Sequence, residues 1–104
     1  MNGAAPAIGD RATRVARIRS ALQAAFDPVA LEVVDDSARH AGHEGARDGR
    51  GHFNVEVVST AFDGLGSLAR HRAVYAALDA MMATDIHALS IRAMTPEDAA
   101  KANE

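Results

Sequence analysis

The sequence predicts an α+β fold, a two-layer sandwich in which helices cover one face of a three-stranded mixed sheet. Apolar residues recur at three- and four-residue intervals in two stretches, which is typical of amphipathic helices. Three other stretches are short, rich in β-branched residues and bounded by turn residues. The elements follow the order α-β-β-α-β, and the pattern leaves open whether the second helical region is continuous or broken in two. The 104 residues allow one domain with one modest core.

The first helix is expected from Asp10, a residue able to cap it, to about Phe26. One apolar stripe supports this helix and consists of Val15, Ile18, Leu22 and Phe26. Arg14 and Arg17 would then face mainly solvent. Pro28 ends the helix, because the residue before a proline is pushed out of the helical region.

Two strands are expected next, at 31–37 and 52–60. Apolar and polar residues alternate in the second strand, so His52 should point away from the face that Phe53 buries. Between the strand centres lies a glycine-rich stretch, ARHAGHEGARDGRGHF, which we call the histidine segment (38–53). The strands should pair as an antiparallel hairpin, and residues 38–51 should be the most mobile internal part of the chain.

Ser67 can cap a second helical region that reaches about residue 83. Its expected apolar face consists of Leu68, His71, Tyr75, Leu78 and Met82, broadened by Val74 and Met81. A third strand is expected at 86–94, with His87, Leu89 and Ile91 on one side. Because a helical region connects them, the second and third strands should be parallel.

The expected organisation is a flexible tail at 1–9, one domain at 10–96 and a C-terminal tail at 97–104. The chain has no cysteine, which excludes disulfides and thiolate chemistry from its own residues. A net charge of −3 argues against general nucleic-acid binding. No apolar run approaches the roughly 20 residues that span a bilayer, and the first nine residues do not resemble a signal peptide. We therefore expect a cytoplasmic protein without membrane contact.

The histidine segment holds His40, His43 and His52, three of the five histidines. A metal site, a proton-handling site and a solvated loop are the alternatives. The spacing matches neither a zinc finger nor H-E-x-x-H, so spacing alone favours a solvated loop. No serine lies in a nucleophile motif, and Asp35 and Asp36 are adjacent and therefore face opposite sides of a strand. With no acid–base or nucleophile set, the chain is not expected to be an enzyme.

Two stretches carry a family resemblance: HFNVEVVSTAFDGLGSLARHRAVYAAL and, after it, IHALSIRAMTP. Together they resemble the BolA family, and the similarity runs from about Arg14 to Pro96. The resemblance implies a class II KH-like fold with the order α-β-β-α-α-β. That family is without the G-x-x-G loop with which KH domains hold nucleic acid, and the second helical region of this chain, to about residue 83, contains no glycine.

The family resemblance also implies a partner, a monothiol glutaredoxin, and a [2Fe–2S] cluster shared with it. A histidine of the last strand would be one ligand, which is His87 here. The second ligand would come from the loop between the first two strands, where DDSARH stands in for N-E-S-x-x-H and points to His40. His43 is a weaker candidate. Since the chain has no cysteine, the thiolates must come from the glutaredoxin and glutathione, and the chain alone should be a monomer without a cofactor.

A DNA-binding transcriptional regulator is the alternative, because members of the family have been proposed to bind DNA through the helical RHR region. Arg70 and Arg72 would be the contacts with DNA. In the same motif, His71 lies on the apolar stripe of the predicted helix. A histidine in that position is more often a hydrogen-bonded core residue than a ligand.

Overall fold

The computed structural model describes residues 11–37 and 50–102, which form four α-helices, three strands and one short 3-10 helix. In chain order these are α1 (Arg11–Phe26), β1 (Ala30–Asp35), β2 (Gly51–Val58), the 3-10 helix (Thr60–Phe62), α2 (Ser67–Ala77), α3 (Asp79–Met82), β3 (Ile86–Met94) and α4 (Pro96–Ala102). The predicted α+β class is confirmed, and so is the order α-β-β-α-α-β, to which α4 is added. No helix in the described ranges is long and apolar enough to cross a membrane.

The three strands form one mixed sheet with β2 in the centre. β1 and β2 are antiparallel, and β2 and β3 are parallel, as the sequence predicts. One face of the sheet packs against the helices, where the buried cluster consists of Ile18, Leu22, Phe53, Val55, Val57, Phe62, Val74, Leu78, Met81 and Ile86. The opposite face is polar and more open, and it carries a groove of about 230 Å³ lined in part by Glu32, Asn54 and Arg92.

Helix α1 buries its apolar stripe as predicted, with Ile18 and Leu22 fully inaccessible to solvent. The helix ends where Asp27 takes a left-handed conformation, with φ of 45°. The prediction that Arg14 faces solvent is wrong. Arg14 is buried and bonds the side chain of Asp85, a partner too distant in the sequence for helical periodicity to reveal.

The helical region after residue 66 is broken at Leu78, which has φ of −106° and ψ of 14°. Its predicted apolar face was partly wrong, because Leu68 is 63% exposed and Tyr75 is 41% exposed. The buried residues are Val74, Leu78 and Met81. At 3.6 residues per turn, Leu68 lies about 120° around the helix from Val74, outside the face that meets the sheet.

Much of the segment expected to be a C-terminal tail is helical, because α4 is capped and tied to the domain. Thr95 Oγ1 accepts a hydrogen bond from the main-chain N–H of Asp98 at 3.0 Å, and the Asp98 carboxylate accepts one from the N–H of Thr95 at 3.2 Å. This is a capping box with aspartate in place of glutamate. The Arg70 guanidinium donates to Asp98 at 2.8 Å and thereby links α4 to α2.

Candidate metal-ligand site

His87 is the extra residue of a β-bulge near the start of β3. Gly51 pairs with Ile86 and His52 pairs with Ala88, so nothing on β2 is opposite His87. The predicted alternation that placed His87 on the side of Leu89 and Ile91 is therefore wrong. Leu89 and Ile91 pack against the core, whereas His87 is exposed. A bulge commonly redirects a side chain in this way, and here it presents an imidazole at one end of the β2–β3 pair.

The ring of His87 is held by Arg50, the last residue before β2. Arg50 Nη2 lies 3.3 Å from His87 Nδ1, and Arg50 Nη1 donates to the main-chain oxygen of Met82 at 3.3 Å. A guanidinium has donors only, so Nδ1 of His87 must be the acceptor in this contact. A hydrogen bond here therefore uses the tautomer whose hydrogen is on Nε2.

His52 packs beside His87 from the neighbouring strand. The two ring centroids are 5.3 Å apart and the ring planes are inclined by 53°. His52 is half-buried and points away from the face that Phe53 buries, as its place in the strand predicts. Sequence reasoning missed the pairing of the two rings. The available signal was that both histidines open strands that were expected to be parallel neighbours.

The ends of the connection between β1 and β2 meet at this corner of the sheet. Ser37 Oγ accepts a hydrogen bond from the N–H of His52 at 3.0 Å, and the N–H of Asp36 donates to the His52 carbonyl at 2.8 Å. Gly51 fits between them without room for a side chain. A Cβ there would lie 2.7 Å from Ser37 Oγ and 2.8 Å from the Phe53 ring. The predicted ligands His40 and His43, and most of the stretch predicted to be mobile, lie outside the described residues.

A buried carboxylate anchors the residues just before the bulge. The Asp85 side chain is 1% exposed, and it accepts hydrogen bonds from Arg14 Nε at 3.3 Å, Arg17 Nη1 at 3.1 Å and Thr84 Oγ1 at 2.6 Å. Burial acts to raise the pKa of Asp85. The Thr84 hydrogen bond and the positive charges of Arg17 and Arg14 outweigh burial and hold that pKa below its usual range. The main-chain oxygen of Asp85 also accepts from the N–H of Gly51 at 2.9 Å, so α1, β2 and β3 are fixed together beside His87.

The RHR motif contains two differently placed arginines. The Arg70 guanidinium donates to the main-chain oxygens of Leu65 and Ala93 as well as to Asp98. Its hydrogen bond is the main reason that the pKa of Asp98 lies below the ordinary value. Arg72 is exposed on α2. A nucleic-acid contact therefore stays a prediction for both residues, and Arg72 is the more accessible of the two. His71 is half-buried, but two of its predicted neighbours, Leu68 and Tyr75, are not in the core.

The residues at this corner fit the chemistry of an imidazole ligand to iron. Iron binds neutral histidine, and the contact with Arg50 is one that only a neutral His87 ring can make. Within residues 11–37 and 50–102 there is no group of three or more histidine, cysteine, aspartate or glutamate side chains placed to hold a metal ion. The described part of the chain thus supplies His87, exposed and oriented, with His52 beside it.

The fold and this corner define a small α+β domain that presents one imidazole from a bulge between parallel strands. The sequence model of a family described as BolA-like protein matches residues 22–98. The chain belongs to the BolA family.

Similarity to individual proteins extends over most of the chain. It is 43% identical over 88 residues to the Arabidopsis thaliana protein BOLA1, chloroplastic, covering 82% of this chain and 55% of that protein. It is 44% identical over 79 residues to the Escherichia coli DNA-binding transcriptional regulator BolA, covering 76% of this chain and 72% of that protein. The structure of the BolA domain of SufE1 from Arabidopsis thaliana matches with a TM-score of 0.74 and 46% identity, over 82% of this chain and 94% of that one. The chain spans about half or less of the length of several curated relatives.

Proposed function

We propose that this protein is a non-enzymatic adaptor that binds a monothiol glutaredoxin and shares a [2Fe–2S] cluster with it, in iron–sulfur cluster trafficking or iron regulation. His87 and His40 are the proposed ligands from this chain, with His43 as the weaker candidate. The protein acts as a monomer until its partner binds. A cytoplasmic location is part of the proposal, although one relative is named as chloroplastic and another as chloroplastic/mitochondrial.

The observation that carries the proposal is the bulge at His87. It exposes an imidazole at the corner of the sheet where both ends of the β1–β2 connection meet. Ser37, at the start of that connection, is hydrogen-bonded to the main chain of His52, and the His52 ring packs on His87. His40 follows Ser37 by three residues and so belongs to the connection whose ends meet at this corner.

The ligand chemistry requires a second protein. Clusters of this type are held by four ligands in which thiolates dominate, and the chain contains no cysteine. The glutaredoxin cysteine and glutathione would supply the two thiolates, and two imidazoles would complete the set. This combination resembles a Rieske centre, whose potential lies above that of all-thiolate clusters. Because the imidazoles must be neutral, the shared cluster should be released in acid.

The test is a titration with a cluster-loaded monothiol glutaredoxin, followed by visible spectroscopy. The wild-type protein should convert the all-thiolate spectrum to a mixed histidine–thiolate spectrum at one equivalent, and His87→Ala should abolish this change. His71→Ala is the matched control, because it removes a histidine from α2 and should leave the conversion intact. An unchanged spectrum with the wild-type protein, or conversion by the His87→Ala protein, would overturn the proposal.

Regulation by DNA binding is the second candidate. The E. coli relative is named as such a regulator, and Arg72 of this chain is exposed on α2. Binding of a labelled duplex at two salt concentrations tests this function, since phosphate contacts give a strong salt dependence. Arg72→Gln should weaken binding and reduce the salt slope by about one unit. No binding at low salt would exclude this function for the isolated chain.

A further inference from the structure

We propose that Arg50 is a gate on His87: its guanidinium occupies the Nδ1 lone pair in the partner-free chain, and ligation of the cluster requires this hydrogen bond to break. The proposal rests on the proposed function and adds to it the residue that controls access to the ligand nitrogen. Arg50 and His87 are brought together by the fold, since Arg50 precedes β2 and His87 lies in β3.

In the structure, neither ring nitrogen of His87 is available as a ligand. A neutral imidazole has one nitrogen that carries hydrogen and one that carries a free lone pair. The guanidinium of Arg50 takes the lone pair of Nδ1, so the hydrogen is on Nε2. If iron binds Nδ1, Arg50 must leave that atom. If iron binds Nε2, the hydrogen must move to Nδ1, where it would point at an N–H donor of Arg50. Either route therefore requires Arg50 to withdraw.

The hydrogen bonds of Arg50 described above are long, as expected of contacts that must break when the cluster is ligated. The hydrogen bonds to His87 Nδ1 and to the Met82 oxygen are each 3.3 Å long, beyond the usual optimum of about 2.9–3.0 Å.

The first experiment measures the His87 tautomer in the isolated, cluster-free chain. Nitrogen-15 NMR of the imidazoles at about pH 8, where free imidazole is neutral, reports which nitrogen carries the hydrogen. The wild-type His87 should show hydrogen on Nε2 only. Arg50→Met removes the donors at similar side-chain length, and it should allow the form with hydrogen on Nδ1 to become populated. Arg19→Met is the matched control, because it removes an exposed arginine from α1 and should leave the His87 signals unchanged.

The second experiment follows cluster uptake from the loaded monothiol glutaredoxin by visible spectroscopy. Removal of one hydrogen bond that must break should raise the apparent affinity or rate about fivefold in Arg50→Met. Arg19→Met should behave as the wild-type protein does.

The two experiments separate the gate from the proposed function. If His87 has the wild-type tautomer in the Arg50→Met protein, the proposal that Arg50 is a gate is overturned, whatever the result for cluster uptake. A changed tautomer with equal or slower cluster uptake also overturns it and makes Arg50 an orienting residue. A changed tautomer, with no cluster taken up by any form of the protein, overturns the proposed function while supporting the control of His87 by Arg50.

Discussion

The buried carboxylate of Asp85 accepts a hydrogen bond from Arg14 Nε at 3.3 Å and so joins the first helix to the strand that presents His87. Both residues are almost inaccessible to solvent, with 8% of Arg14 and 1% of Asp85 exposed. Charges placed so deeply need their counter-charges, because water no longer solvates them.

Replacement of Asp85 by asparagine should therefore be strongly destabilising. It removes the negative charge that faces Arg14 and Arg17, and loss of one partner from a buried ion pair costs about 3–5 kcal/mol. The free energy of unfolding from urea titration measures the effect. Asp79→Asn, at an exposed residue of α3, is the control and should change stability by less than about 0.5 kcal/mol. Equal stability of the two variants would show that the ion pair contributes little.

The stability of the domain should also fall in acid because of Asp85. Its pKa in the folded chain lies below the ordinary value of 3.8, so the unfolded chain binds this proton first as the pH decreases. The stabilisation that ionised Asp85 gives to the folded chain is complete above about pH 5, and it is lost as the pH falls through the pKa of Asp85 in the folded chain. The free energy of unfolding, measured by urea titration at several pH values in this range, should depend less steeply on pH in Asp85→Asn than in the wild-type protein. Some pH dependence of the free energy of unfolding should persist in Asp85→Asn, because the pKa of Asp98 is lowered as well. Identical slopes would contradict the assignment to Asp85.

Gly51→Ser should disturb the corner of the sheet at which His52 and His87 meet. The new Cβ would lie 2.8 Å from the buried ring of Phe53, and such overpacking costs about 1–3 kcal/mol. Gly66→Ser is the same substitution where a Cβ meets nothing within 4 Å. Gly66 is the N-cap of α2, a position that serine favours, so thermal unfolding should show no loss of stability. A Gly51→Ser protein as stable as the wild type would mean that the strand shifts to make room.

The two proposed ligands should respond differently to replacement. His87 is held in a paired strand, so His87→Ala should remove the mixed spectrum entirely. His40→Ala should give a weaker complex, because His43 lies three residues further along and can replace it in part. Pulsed electron paramagnetic resonance of the reduced complex counts the histidine nitrogens coupled to iron. Two coupled nitrogens in the His87→Ala complex would place the ligands elsewhere in the chain.

The sequence pattern predicted correctly those features of the fold that depend on residues close together in the chain. The boundaries expected for β3, 86–94, match Ile86–Met94, because alternation and turn residues are local properties. The exposure of His87 could not be predicted in the same way, since the bulge is defined by pairing with β2. His87 was singled out only by the resemblance of its motif to the BolA family.

The errors on the helices have the same origin. Arg14 looks like a solvent-facing residue of an amphipathic helix until Asp85 is brought to it by the fold. Leu68 and Tyr75 fit an apolar stripe, but the sheet covers a face centred on Val74 and Leu78. Hydrophobic periodicity predicts that a helix has an apolar face. Tertiary packing determines which residues of that face contact the sheet.

The bulge separates the side chain at position 87 from the packing of the hydrophobic core. In a regular strand this residue would share the side of Leu89 and Ile91, and any substitution would have to suit the core. As the extra residue of the bulge, it can change while the packing of Leu89 and Ile91 in the core stays the same. One scaffold can therefore offer imidazole, thiolate or carboxylate at the same point in space, and under the proposed function a single codon would set which metal ion or cluster this point suits.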